Sequence, residues 1–267
     1  MTSVRVLLEH HARLHRVALV PLAVGLALFE WLMTFVAGEP MVSRFLSEAL
    51  RAAPPQFLAL LNQDLLVGVS ARGIVGVGYA HPFSLIMMAV WSVRVPCGAL
   101  AGEIGRGTMD LVAARPVSRS SQVAAAALAL FAGLGVLAAS AWLGTAAGLL
   151  VRPLPEVSAF RYLPVAAALW LVFACFGAIA ILISSLASDA GTAIAWIAGL
   201  LAGSYVLDYV ARVWTRLASL RPASLFSYYE PQRVVEAGLG RHDAAVLAAV
   251  GAVALALAFA VFGRRDL

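Results

Sequence analysis

Val123–Leu150 reads VAAAALALFAGLGVLAASAWLGTAAGLL, without one charged residue. A helix needs roughly 20 apolar residues to cross the hydrocarbon core of a bilayer, and this stretch exceeds that. Five more stretches of the same kind surround it: Val17–Val36, Ile74–Leu100, Tyr162–Leu186, Gly191–Leu207 and Ala244–Gly263. Of the chain, 62% is hydrophobic and 12% charged, against about 45–50% and about 25% in soluble domains. One water-soluble core cannot hide that excess. The expected fold is all-α: a single polytopic domain over residues 1–267 with six transmembrane helices.

The segments between the spans complete the layout. Val4, Leu7, Leu8, His11 and Leu14 share one helical face, with Arg5, Glu9, Arg13 and Arg16 largely elsewhere; this predicts an amphipathic helix lying in the interface. Glu9, three histidines and the lack of a small-x-small cleavage site argue against a signal peptide. Residues 37–73 and 208–243 form two long outer loops. Phe45–Leu50 predicts a surface helix stopped near Pro54-Pro55, and Phe57, Leu60 and Leu61 predict a second. Trp214, Tyr228 and Tyr229 fit an aromatic interface belt. Ala187–Ala190 predicts a tight turn.

Six spans put both termini on one face. That face carries Arg5, Arg13, Arg16, Arg106, Arg115, Arg119, Arg264 and Arg265 in short segments, while the other face spreads its arginines over longer loops. By the positive-inside rule, the termini and the 101–122 connection are expected in the cytoplasm. The chain has no Lys, so it has no Walker A phosphate loop, which needs one. Its charge of +5 is small for a nucleic-acid binder, and no basic stripe is interleaved with exposed aromatics. Cys97 and Cys175 fall inside spans and read as small buried apolar residues.

The connection between the second and third spans is compact and polar. Glycines at 102, 105 and 107 let the chain turn; Thr108 is placed to cap a short helix, Asp110 complements its dipole, and Pro116 ends it. Ser118 is placed to cap the third span. Glu103, Arg106, Arg115 and Arg119 surround this helix, which is expected to lie parallel to the membrane and to be joined stiffly to two spans.

The pattern Glu103-x-x-x-Gly107-Thr108-x-x-Leu111, followed by Arg115-Pro116-Val117-Ser118-Arg119, resembles the coupling region of type-2 ABC (ATP-binding cassette) transporter permeases. Ser184-Ser185-Leu186, Leu225–Tyr229 and the Arg264–Leu267 terminus are similar to other parts of that family, and the six-span layout covers the chain. Family members often carry a Gly-Lys pair just after the coupling segment; here Ala125-Ala126 stands there, so no cationic anchor is expected at that point. The resemblance implies a non-catalytic permease subunit in the bacterial inner membrane. It implies an ABC ATPase gripping Glu103, Arg106, Gly107, Thr108, Asp110, Leu111, Arg115, Pro116, Ser118 and Arg119. ATP and Mg would sit on that ATPase, and a second permease copy, identical or not, would complete the unit. Export is the expected direction. A secondary transporter, or a mechanical transmitter that passes no cargo, is the alternative.

Charges within spans mark functional candidates. Glu30 and Arg94 are candidates for a translocation path, at different depths, so no ion pair between them is expected. His81 lacks ligand company for a metal, and Ser184 and Ser185 lack triad partners. Gly144-x-x-x-Gly148 and Gly199-x-x-x-Gly203 fit close helix contact, either within the chain or between two copies.

Overall fold

The computed structural model describes residues 2–52, 70–107, 118–155 and 157–265. They form helices α1 (Thr2–Ala37), α2 (Pro40–Ala52), α3 (Ala71–Ala80), α4 (Pro82–Ala99), α5 (Ala101–Gly105), α6 (Arg119–Val151), α7 (Leu163–Leu186), α8 (Ala190–Val213), α9 (Pro231–Ala237) and α10 (Arg241–Arg264), with 3-10 turns at Ala159–Tyr162, Thr215–Ala223 and Leu225–Tyr228. There is no strand among the described residues. Six stretches are long and apolar enough to cross a membrane: His15–Ala37, Ala71–Ala99, Arg119–Val151, Ala159–Leu186, Ala190–Val213 and Arg241–Arg264.

α7 is the centre. Leu169, Val172, Phe173, Phe176, Ala180 and Ile181 are buried around its circumference, and it packs against α4, α6, α8 and α10. A helix apolar on every side belongs in such a place. α1 lies along α6 and exposes Val17, Val20, Val24, Leu28 and Leu32 at helical spacing. In water that stripe would be a liability; in a bilayer it faces acyl chains.

Three features depart from the sequence expectation. Residues 2–37 form one unbroken helix, so the stretch at 4–16 continues directly into the first span. The second span is broken: α3 stops and α4 starts around His81, with Pro82 at the first turn of α4. Proline tolerates a first turn because its missing N–H would be unpaired there anyway. The helix of the fifth span, α8, runs past Leu207 to Val213 and carries Asp208 and Arg212 within it. The short helix expected around Phe45–Leu50 is α2. The helix expected from Phe57, Leu60 and Leu61 lies outside the described residues.

The two Gly-x-x-x-Gly motifs part company. A Cβ on Gly144 would run into the Ala27 carbonyl, and one on Gly148 into Thr34, so this pair lets α1 meet α6 backbone to backbone. A Cβ on Gly199 or Gly203 would meet nothing, and both lie on an exposed face of α8. Gly144→Val or Gly148→Val is therefore expected to destabilise the protein by about 1–3 kcal/mol, the usual penalty of overpacking. Gly199→Val should leave the thermal midpoint of the detergent-purified monomer within a degree or two of wild type.

Candidate coupling corner and membrane groove

The end of α4 is awkward for a backbone in lipid. Pro96 sits in its last turn, and the chain swings at Leu100 into α5. Ser184, near the end of α7, resolves the turn: its hydroxyl donates to the Pro96 carbonyl at 2.8 Å and accepts from the Ala101 N–H at 3.0 Å. One buried side chain thus holds both the outgoing and the incoming backbone. The neighbouring Ser185 only bonds back to Ile181 O at 2.8 Å, within its own helix.

Other elements converge on this corner. A Cβ on Gly105 would lie 3.2 Å from the Cα of Asp189, so α5 rests on the turn between α7 and α8. Asp189 caps α8 by accepting from Thr192 N at 2.9 Å and Thr192 Oγ1 at 2.8 Å. Those bonds from the Thr192 backbone and hydroxyl hold its carboxyl below the ordinary carboxylate range. Arg265, just past α10, donates to the Ser185 and Ala187 carbonyls at 2.7 and 2.9 Å, closing the C-terminal end of α7. Arg119, at the start of α6, donates to the Arg265 carbonyl and to Gly263 O at 3.4 Å.

Of the residues picked out from the sequence, Glu103 and Arg106 sit on the outer side of this corner as an ion pair at 2.5 Å. Gly107 adopts φ +66°, a conformation that favours glycine. Ser118 caps α6 by accepting from Ser121 N at 3.2 Å. Thr108, Asp110, Leu111, Arg115 and Pro116 lie outside the described residues.

From the corner, an apolar groove of about 990 Å³ runs between α4 and α8. Leu85, Ile86 and Val90 form one wall, Ile194 and Leu201 the other, and Phe226 lies towards the far end. Arg94 lines the groove near its coupling end, followed by Glu103 and Arg106. Arg94 is exposed and makes no ion pair with the described residues. Glu30 does not line this groove.

Glu30 lies instead where α1 crosses the α3–α4 break. It is fully buried; Ser84 Oγ donates to one oxygen at 3.3 Å. The other oxygen has no hydrogen-bond partner among the described residues and lies against Gly78. Side chains take two of the backbone groups at the break. His81 Nδ1 accepts from Phe83 N at 3.1 Å, which caps α4, and Tyr229 OH donates to the Tyr79 carbonyl at 2.9 Å. Tyr79 OH and Thr145 Oγ1 are 2.9 Å apart, and Tyr162 OH donates to Arg72 O at 2.7 Å. His81 is thus a helix cap, a role its sequence context did not announce.

At the end opposite the corner, three acids and three arginines clasp the 208–243 segment. Arg212 Nε donates to Asp208 at 2.9 Å; Arg221 Nε donates to Asp208 at 3.2 Å and its Nη2 to Glu230. Arg233 Nε lies 3.1 Å from Glu230 and its Nη2 donates to Asp243. Partial burial pulls Arg221 towards its neutral form, but its bonds to Glu230 and Asp208 outweigh this and raise its pKa. Tyr229 is buried here, and that burial pushes its phenol well above the ordinary value. It is a packing residue, not part of an interface belt; Trp214 is exposed as a belt residue would be.

Residues 17–267 match the family model described as ABC-2 family transporter protein. No curated protein matches the chain.

Ser184→Ala strands a buried carbonyl and a buried N–H, so it is expected to cost about 1–3 kcal/mol and lower the thermal midpoint more than Ser185→Ala does. Asp189 has a depressed folded-state pKa, so its capping stabilises the protein above the unfolded-state value and fades as pH falls through the folded-state value. The stability gap between wild type and Asp189→Ala should hold through neutral pH and close below about pH 4. A thermal-shift series from pH 3 to 8 reads it.

Proposed function

The chain belongs to the ABC-2 family of transporter proteins, and from that premise we propose that it is the permease subunit of an ATP-driven exporter. The ATPase is a separate chain. Without Lys this subunit has no Walker A loop of its own, and ATP and Mg belong to the partner. Two permease copies and two ATPases form the working unit in the bacterial inner membrane, with both termini in the cytoplasm.

The observation that carries this reading is the corner. α5 is tied to α4 through Leu100, to α7 through Ser184, and rests on the turn that starts α8. Force applied at residues 101–107 would therefore reach α4 through the Leu100 turn that Ser184 holds, and the start of α8 through the contact of Gly105 with Asp189. Glu103 and Arg106 offer the ATPase one charge of each sign. Arg94 lines the path between the walls. Glu30, which the groove leaves out, anchors α1 against the broken second span.

One observation favours a secondary transporter: a buried carboxyl beside a discontinuous helix, a pairing common in ion-coupled carriers. The two readings separate in proteoliposomes. The exporter moves cargo only with its ATPase and ATP, whereas a secondary transporter moves it on an imposed proton gradient alone.

Co-purification tests the coupling role. The full chain should capture an ABC ATPase, and Glu103→Arg should weaken capture or stimulated hydrolysis about tenfold or more, as reversal of an interface charge does. Gly107→Pro should do the same, because proline cannot adopt φ +66°. Wild-type coupling in both variants would defeat the proposal.

A further inference from the structure

We propose that Arg265 is a positioning residue for coupling: it ties the far end of the 101–122 connection, at Arg119, to the α7–α8 turn on which the near end rests. The proposal rests on the permease reading for the purpose of this tie, not for its existence.

The near end is held by α7 and the residues after it. Ser184 holds the turn from α4 into α5, and Gly105 lies against Ser188 and Asp189. The far end has a cap of its own, Ser118 accepting from Ser121 N at 3.2 Å. A cap within one helix fixes no position relative to α5. Among the described residues, the hydrogen bonds that leave the first turn of α6 are those of Arg119, to Gly263 O at 3.4 Å and to the Arg265 carbonyl.

Arg265 carries the tie onward. Its Nη1 donates to the Ser185 carbonyl at 2.7 Å and to the Ala187 carbonyl at 2.9 Å. Ser185 follows the serine that holds the near end, and Ala187 precedes the turn on which Gly105 rests. Both ends of the connection thus meet on the same few residues at the end of α7. The site suits a cation, because the last carbonyls of a helix carry partial negative charge. Arg119, which the sequence pattern assigns to the ATPase, spends this donor inside the chain. The side chain of Arg264 is exposed and makes no hydrogen bond or ion pair among the described residues, so charge alone does not set Arg265 apart.

The two links act in series, from Arg119 to Arg265 and from Arg265 to α7. Cutting either one frees the far end.

Hydrogen exchange of the full-length protein in detergent, read by mass spectrometry over 118–122 and 187–193, tests the tie. Arg265→Gln should speed exchange over both stretches about tenfold, the consequence of losing one hydrogen bond to a charged group. Arg119→Gln should speed exchange over 118–122 equally. The double variant should go no further there than either single one, because links in series fail once. Arg265→Lys should recover part of the protection. Arg264→Gln removes the same charge but no bond, and should exchange as wild type does. With a captured ATPase, Arg265→Gln should keep capture and the KM for ATP while kcat of stimulated hydrolysis falls about threefold, within the range for residues that carry coupling between sites.

Unchanged exchange over 118–122 in Arg265→Gln, or additive losses in the double variant, would overturn the tie. Faster exchange with kcat intact would overturn its role in coupling. A wild-type chain that captures no ATPase would defeat the permease reading and that role together, while the exchange rates still decide whether the tie exists.

Discussion

A backbone carbonyl left free in hydrocarbon has no water to bond, so wherever this chain interrupts a helix a side chain must stand in for the missing turn. Four interruptions among the described residues have such a substitute. At the second span, His81 takes the Phe83 N–H and Tyr229 takes the Tyr79 carbonyl. At the end of α4, Ser184 takes both a carbonyl and an N–H. At the end of α7, Arg265 takes two carbonyls. At the end of α1, Arg152 takes the Phe35 and Gly38 carbonyls at 3.3 and 2.7 Å and pairs with Glu39 at 2.5 Å.

These substitutes come from distant parts of the chain, so satisfying the backbone also fixes the tertiary structure. Ser184 binds α7 to the α4–α5 turn, and Tyr229 binds the 208–243 segment to the second span. Breaking any of them leaves a buried polar group unpaired, a loss larger than the hydrogen bond itself contributes. α4 and α8, each held at its end by such bonds, leave the groove between them.

Hydropathy made the six spans legible because lipid selects for one property that every residue reports independently. Ser118 as a cap and the polar character of 101–107 were legible for the same reason: the signal is local. What stayed hidden depends on pairing across the chain. The His81-Pro82 break looked like part of one span because proline is common in membrane helices and His81's cap is a matter of side-chain orientation. Glu30 read as a charge on a translocation path, yet it is fully buried with Gly78 and Ser84 against it. The 208–243 segment read as an aromatic-tipped loop, because no periodicity reveals that Asp208, Glu230 and Asp243 will each find arginines. Of the two Gly-x-x-x-Gly motifs, identical as patterns, one is filled by α1 and the other is open; only the partner distinguishes them.

The exclusive use of arginine is the last link between these facts. Arg152, Arg221, Arg233 and Arg265 each reach two acceptors at once. A planar fork does this while losing little freedom per bond, and a lysine ammonium does it poorly. In a fold whose helix ends must be closed by side chains, that geometry makes arginine the effective closing residue. Arg94 has the same fork but no helix end to close and no carboxylate among the described residues to hold it. It lines the groove between α4 and α8 instead.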